Sequence, residues 1–224
     1  NTFLRVALCQ MDVGADKSIN IANAHSLLTQ AKNSGNANLA VLPECWNSPY
    51  STASFPVYAE PMPEVGGSID VSISPSTAML AQVAQDTGMW LIGGSIPERD
   101  HNDNLYNTCL VMNPDGHIVG KHRKMHLFDI DIPGKITFKE SDSLTGGNDV
   151  TVFQSPWGVI GIGICYDIRF PELAMIMREK GASFLVYPGA FNMITGAAHW
   201  DLLQRARAVD NQVFVATCSP ARDT

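Results

Sequence analysis

The chain of 224 residues has no excess of positive charge, no apolar run of membrane length, no paired-cysteine motif and no internal repeat. Its 15 Lys and Arg stand against 22 Asp and Glu, a formal charge of -7. That balance offers no basic footprint for nucleic acid and no polybasic face for a membrane, so an anionic ligand has to be held by local cations. No stretch approaches the roughly 18 to 20 apolar residues of a membrane span, and the chain opens on strand-like FLRVALCQ without a signal-peptide pattern. The cysteines Cys9, Cys45, Cys109, Cys165 and Cys218 are odd in number and scattered, with no CxxC spacing for a metal or a dithiol. A soluble protein with reduced thiols is expected, cytoplasmic, or else mitochondrial. The 45% hydrophobic content is ordinary for a globular chain, and one domain over residues 1–224 is expected.

Periodicity divides the chain into alternating strands and helices. Residues 3–10 are rich in strand formers, and Ile19, Ala22, Leu27, Leu28 and Ala31 then fall near helical spacing ahead of Gly35. ANLAVLPE forms a short apolar strand that runs out at Glu44, and the Pro- and Ser-rich residues 45–74 read as a long loop of the kind that is often functional. A helix follows with Ser74 as N-cap, Pro75 in its first turn and Gly88 as its stop, and then a strand, MWLIGGSIPE. Two strands flank the turn NPDG, whereas residues 125–149 show no clear periodicity. WGVIGIGICYD reads as a strand, PELAMIMREKG as a helix from Pro171 to Gly181, ASFLVYPGAF as a strand, AHWDLLQRARAVDN as a helix and QVFVATCSPA as the closing strand. This alternation predicts an α/β domain with at least partly parallel sheets, a design whose ligands lie beyond the carboxyl ends of strands. Glu44 and Cys165 both fall at such ends.

A free cysteine is usually a small buried hydrophobe. Cys165, however, stands in GIGICYDIRFPE where an apolar strand stops, just ahead of a helix whose first N–H groups favour a thiolate and a developing oxyanion. On pattern alone, core filler and nucleophile both stay open. A thiol needs a base, and none of the six histidines is singled out. Glu44 in AVLPECW follows an apolar run, where a charge is costly unless solvated or paired, and a partly desolvated carboxyl can take and return a proton. Its plainer reading is a solvated loop carboxylate. Lys124 belongs to the basic cluster Lys121, His122, Arg123, Lys124 and His126, which taken alone is a solvated face. His122 and His126 are spaced like two zinc ligands on a helix, yet the intervening Glu is absent and the setting is a strand end, so no metal is expected. Glu140 in FKESDS and Glu172, a first-turn acid favoured by the helix dipole, carry no signal singly.

Together, VLPECW, KHRKMHLFD and GICYDIRFPE resemble, in this chain order, the Glu, Lys and Cys motifs of the nitrilase superfamily of carbon-nitrogen hydrolases. Three motifs in order are far more specific than any one. The likeness runs from VALCQMDV to the last residues and is closest to the omega-amidase branch in HLFDIDIPGKITFKESDSLTGG and YPGAFNMITGAAHWDLLQRARAVDNQVFVATCSPARD. It implies a four-layer α-β-β-α sandwich, with Cys165 as nucleophile, Glu44 as general base and acid, Lys124 as oxyanion stabiliser and Glu140 as a second glutamate that positions them. It implies no cofactor and no metal, a small amide and water as reactants, no nucleic-acid or membrane partner, and a homodimer. Family members normally continue past SPARD, so the single domain is expected to lack their C-terminal portion.

The reaction implied is release of ammonia from the terminal amide of a small carboxylate-bearing 2-oxo amide, such as 2-oxoglutaramate or 2-oxosuccinamate, through a thioester. The substrate's carboxylate calls for a cation. Arg169, four residues after Cys165, is the candidate, with pairing to a nearby acid as its competing role. Tyr166 supplies a backbone N–H to the oxyanion, and Phe191 and Thr195 are expected to line the pocket. The open alternatives are an amidase for another small amide such as deaminated glutathione, a non-catalytic scaffold of the same fold, and a thiol redox protein, which lacks a closely spaced resolving cysteine.

Overall fold

Strand alternation assembles the core. The computed structural model describes residues 3–134 and 136–222. Strands β1 (Val6–Leu8), β2 (Leu39–Val41), β3 (Trp90–Arg99), β4 (Leu105–Met112) and β5 (Ile118–Arg123) make one sheet in that order, parallel from β1 to β3 and antiparallel from β3 to β5. A separate hairpin pairs β6 (Asp129–Ile132) with β7 (Ile136–Lys139). The second sheet joins β8 (Thr151–Ser155), β9 (Gly158–Ile162), β10 (Ala182–Pro188) and β11 (Phe214–Cys218) in the order β11-β10-β9-β8, with only β8 antiparallel to its neighbour.

Successive side chains on a strand point to opposite faces. Leu39 and Val41 of β2 and Cys109 and Val111 of β4 share a core with Ile160 and Ile162 of β9 and Phe184 and Val186 of β10, which locks the two sheets face to face. Their alternates Ala40, Leu91, Leu110 and Met112 face outward onto Leu28 of helix α1 (Lys17–Asn33). The short α2 (Phe55–Tyr58) interrupts the 45–74 loop, and α3 (Pro75–Thr87) adds Leu80 and Val83 to the same outer layer. On the far side Leu185 and Tyr187 meet Leu173 and Met177 of α4 (Pro171–Glu179), with α5 (Met193–Asn211) packed alongside. The parallel strands are thus covered on both faces, as such strands require. The result is the four-layer α-β-β-α sandwich that the resemblance implied. Gly161 permits the close approach of α4, since a Cβ there would lie 2.6 Å from Met177 Sδ.

The structure revises four local expectations. β9 stops at Ile162, and Cys165 instead opens a short 3-10 helix, Cys165–Arg169. α5 begins at Met193 rather than Ala198, because the Asn192 side chain accepts from the N–H groups of Ile194 and Thr195 and caps the helix. Thr195 therefore sits in the first turn of this helix. Residues 125–149 contain the β6–β7 hairpin, whose two strands are too short for periodicity to register. Finally, Ser74 is the N-cap of α3 as expected, but its side chain does not cap; its hydroxyl donates to Pro61 O, and the buried Glu60 carboxylate accepts the Ser76 N–H instead.

Candidate active site

Glu44 is carried on a turn that β3 holds rigid. Trp46 Nε1 donates to Gly93 O at 2.7 Å, Ser95 N to Pro43 O at 3.1 Å and Cys45 N to Ser95 Oγ at 3.1 Å. β3 bulges between Ile92 and Ser95, and Gly94 in that bulge has φ of 63°. A Cβ at Gly94 would lie 2.3 Å from Pro43 O, so only glycine lets the turn seat. The Glu44 backbone N–H then reaches across to Gly189 O, just past the end of β10, at 3.2 Å.

Four sequence-singled residues come together at this point. Lys124, which follows β5, is fully buried and donates from Nζ to Glu44 Oε1 at 2.7 Å and to Glu140 at 2.9 and 3.0 Å. Glu140, at the end of β7, also accepts the Tyr50 hydroxyl at 2.6 Å and the Phe128 N–H at 2.7 Å. Cys165 and Glu44 lie near enough for a thiol–carboxylate contact to act on the titration of both. Cys165 has φ of 45°, a left-handed conformation costly for a residue with a Cβ. Asp167 holds it there: its Oδ2 accepts the Ile164 N–H at 2.9 Å and faces His122 Nε2 at 3.1 Å, while its Oδ1 takes the N–H and Nδ1 of His126. The two histidines thus converge on one carboxylate. Burial alone would raise the Asp167 pKa, but the two imidazoles and the backbone donors outweigh it and hold the carboxyl well below its ordinary range.

Charge balance in the cluster sets the protonation states. Burial pushes the Glu44 pKa up and the Glu140 charge adds to that; Lys124 opposes both without cancelling them. Burial would depress the Lys124 ammonium, yet Glu44 and Glu140 together raise its pKa well above normal. Burial and then the Glu44 charge raise the Cys165 thiol, against the Lys124 charge and an N–H from Ala190. These shifts favour a thiol that keeps its proton beside a charged ammonium, with Glu44 biased toward holding a proton more readily than an exposed carboxylate does.

Cys165, Tyr166, Arg169, Phe191 and Thr195 all line one cavity of about 290 Å³, walled opposite by the rings of Tyr50, Phe128 and Phe138. The Arg169 guanidinium lies 5.5 Å from the ring centres of both Tyr166 and Phe191, and its Nη1 meets His199 Nδ1 at 3.1 Å. Among the described residues it pairs with no carboxylate. A second cavity of about 550 Å³, which shares Tyr50 and Ala190 with the first, has Glu44 in its lining. Glu172 stays exposed on α4, away from this chemistry.

Sequence reasoning missed Tyr50, Asn107 and Ala190. Asn107 Nδ2 donates to Glu44 Oε1 at 2.9 Å. A polar residue at a core position of LYNTCLVM was the available signal. Tyr50 sat in a loop without periodicity, and the Ala190 backbone N–H has no side-chain signature.

The family model described as carbon-nitrogen hydrolase matches residues 5–223. The chloroplastic omega-amidase of Arabidopsis thaliana is 58% identical over 223 residues, 100% of this chain, which spans only 58% of that protein's length. The mouse omega-amidase NIT2 is 55% identical over 98% of the chain and 75% of its own length. Among solved structures, Nit3 of Saccharomyces cerevisiae, a member of branch 10 of the nitrilase superfamily, superposes with a TM-score of 0.87 at 43% identity, covering 98% of this chain and 76% of Nit3.

Proposed function

Because the chain belongs to the carbon-nitrogen hydrolase family, we propose that it is a cysteine amidohydrolase that releases ammonia from the terminal amide of small carboxylate-bearing 2-oxo amides, 2-oxoglutaramate and 2-oxosuccinamate among them. The observation that carries this reading is the buried Glu44, Lys124 and Glu140 cluster set against a thiol whose cavity holds an arginine that, among the described residues, has no carboxylate partner. The omega-amidase relatives at 55 and 58% identity support the same direction.

In this reaction Glu44 takes the Cys165 proton as sulfur attacks the amide carbonyl. The oxyanion that forms is held by Lys124 and the backbone N–H of Tyr166. Nitrogen cannot leave as an amide anion, so Glu44 returns the proton to it and ammonia departs, leaving a thioester. The same carboxylate then draws a proton from water, which attacks the thioester and frees the acid and the thiol. Glu140 touches no reacting atom; it fixes Lys124 and supplies the second charge that keeps the ammonium protonated.

Arg169 grips the far carboxylate, with Phe191 and Thr195 beside it. Arg169→Met is expected to raise KM for 2-oxoglutaramate about 10- to 100-fold, the range of a charge-assisted hydrogen bond. KM for an uncharged amide such as propionamide should barely move. Equal changes for both substrates, measured by ammonia release, would remove Arg169 from carboxylate recognition.

The proposed assembly is a homodimer. Its support is the apolar side chains Met175 and Ile176 on α4 and Leu202 and Val209 on α5, all exposed. Sedimentation velocity should give a dimer that Leu202→Glu dissociates; a monomer at micromolar concentration would contradict it. The five unpaired, buried thiols suit a reducing compartment, and the cytoplasm is the proposed location. Among the described residues no helix is long and apolar enough to cross a membrane.

A further inference from the structure

The two oxygens of Glu44 are not equivalent. Oε1 receives two donors, Lys124 Nζ at 2.7 Å and Asn107 Nδ2 at 2.9 Å. Oε2 is buried and, among the described residues, has no hydrogen-bond partner. We infer that Asn107 is the positioning residue of the general base: its amide N–H, together with Lys124, pins Oε1 of Glu44 and so leaves Oε2 as the oxygen that exchanges protons with sulfur, leaving nitrogen and water. This inference rests on the amidase reading of the site.

Four features carry it. Asn107 lies on β4 in alternation with Cys109 and Val111, which pack between the two sheets, so an apolar residue would be the cheaper choice at its position. Its amide orientation is fixed by chemistry: turned over, Oδ1 would face a carboxylate oxygen. In the orientation that serves Glu44, Oδ1 is buried without a partner, a cost that packing alone does not explain. The Asn107 carbonyl also accepts the Lys124 N–H at 2.8 Å, so one residue anchors both the base and the cation.

Lys124 by itself would not hold the base. Its ammonium is shared with Glu140, and a single donor leaves the carboxylate free to rotate about its axis. A second, neutral donor sets the plane of the carboxylate without adding a charge that would compete with Lys124 for the oxyanion. The other titratable groups acting on this site are Glu140, from the turn after β7, Cys165, after β9, and Cys45 and Tyr50, from the Glu44 loop itself. None of these supplies a donor that could replace the Asn107 amide on Oε1. An N–H on a carboxylate favours its ionised form, so loss of Asn107 leaves Glu44 protonated up to higher pH.

The test uses Asn107→Leu, a same-sized side chain without a donor, and Asn107→Asp, which keeps the shape and cannot donate when ionised. Two readouts are taken: ammonia release from 2-oxoglutaramate, and the rate of Cys165 alkylation by iodoacetamide against pH. Alkylation forms a carbon–sulfur bond, releases iodide and passes the thiol proton to Glu44, so its acid limb reports that carboxylate without any amide turnover. Both variants are expected to lose about 10- to 100-fold in kcat with smaller changes in KM, and to shift the alkylation acid limb upward while a urea unfolding curve shows the fold retained. Should the leucine variant not fold, the aspartate variant decides. Wild-type kcat with an unmoved limb overturns the inference, and so does lost kcat with an unmoved limb, which would make Asn107 merely structural. A wild-type chain that alkylates at Cys165 yet hydrolyses no amide defeats the amidase reading, while a shifted limb would still uphold the Asn107 assignment.

Discussion

A Cys165→Ala chain is expected to release ammonia from 2-oxoglutaramate roughly 10⁴-fold or more slowly than the unaltered chain, and to keep its fold. Without sulfur there is no thioester, and Glu44 is left only the direct activation of water against a resonance-stabilised amide. The fold should persist because alanine keeps the Cβ and its left-handed backbone, and because Asp167, not the thiol, secures the turn. Unfolding stability should change by no more than about 1 kcal/mol, as for a substitution that breaks no hydrogen-bond network. The pH profile of the unaltered chain has a worked sign as well. In the proposed reaction Glu44 must be ionised, so activity is expected to fall as pH drops through a pKa that burial has raised. It also needs the proton that the thiol supplies to the leaving nitrogen, so it falls again above the raised Cys165 pKa. A variant with undiminished turnover would show direct water attack. A folded, unaltered chain that turns over no amide would favour the non-catalytic scaffold.

What the sequence disclosed and what it hid divide along physical lines. Runs of strand-forming apolar residues announced β2, β3, β4, β5, β9, β10 and β11, because strands buried on both faces leave long Val, Ile and Leu runs. Pro75 and Gly88 bounded α3, and Pro171 began α4, because each imposes a backbone angle that the termini use. The hairpin between Asp129 and Lys139 stayed hidden: its strands have four residues apiece, with Asp129, Asp131 and Lys139 in solvent. Glu44, Lys124, Glu140 and Cys165 were individually unremarkable, and their meeting depends on pairings far apart in the chain, 80 positions for Glu44 with Lys124. Motif resemblance, not periodicity, brought them together in advance. Asn107 and Tyr50 escaped because each side chain meets the cluster through a single hydrogen bond, which depends on where β4 and the 45–74 loop lie relative to Glu44 and Glu140.

Replacing Lys124 with methionine should cost the fold about 3 to 5 kcal/mol, the usual penalty for removing one partner of a buried ion pair. The penalty does not come from the lost lysine contacts themselves. It comes from Glu44 and Glu140, both fully enclosed, which would face each other without a counter-charge while the Tyr50, Phe128 and Asn107 donors satisfy only part of their charge. One carboxyl escapes by keeping its proton, which fixes the direction of the pH effect. A carboxyl whose folded pKa lies above its unfolded value contributes stability below the unfolded pKa, and that contribution fades as pH rises through the folded pKa. The Lys124→Met chain should therefore be markedly less stable at pH 8 than at pH 5, when urea midpoints are compared with those of the unaltered chain at the same two pH values. It should also be inactive at both, for want of a cation on the oxyanion. A midpoint at pH 8 equal to that of the unaltered chain would mean that water reaches the two carboxylates, and the dry, three-charge centre on which the proposed chemistry depends would have to be abandoned.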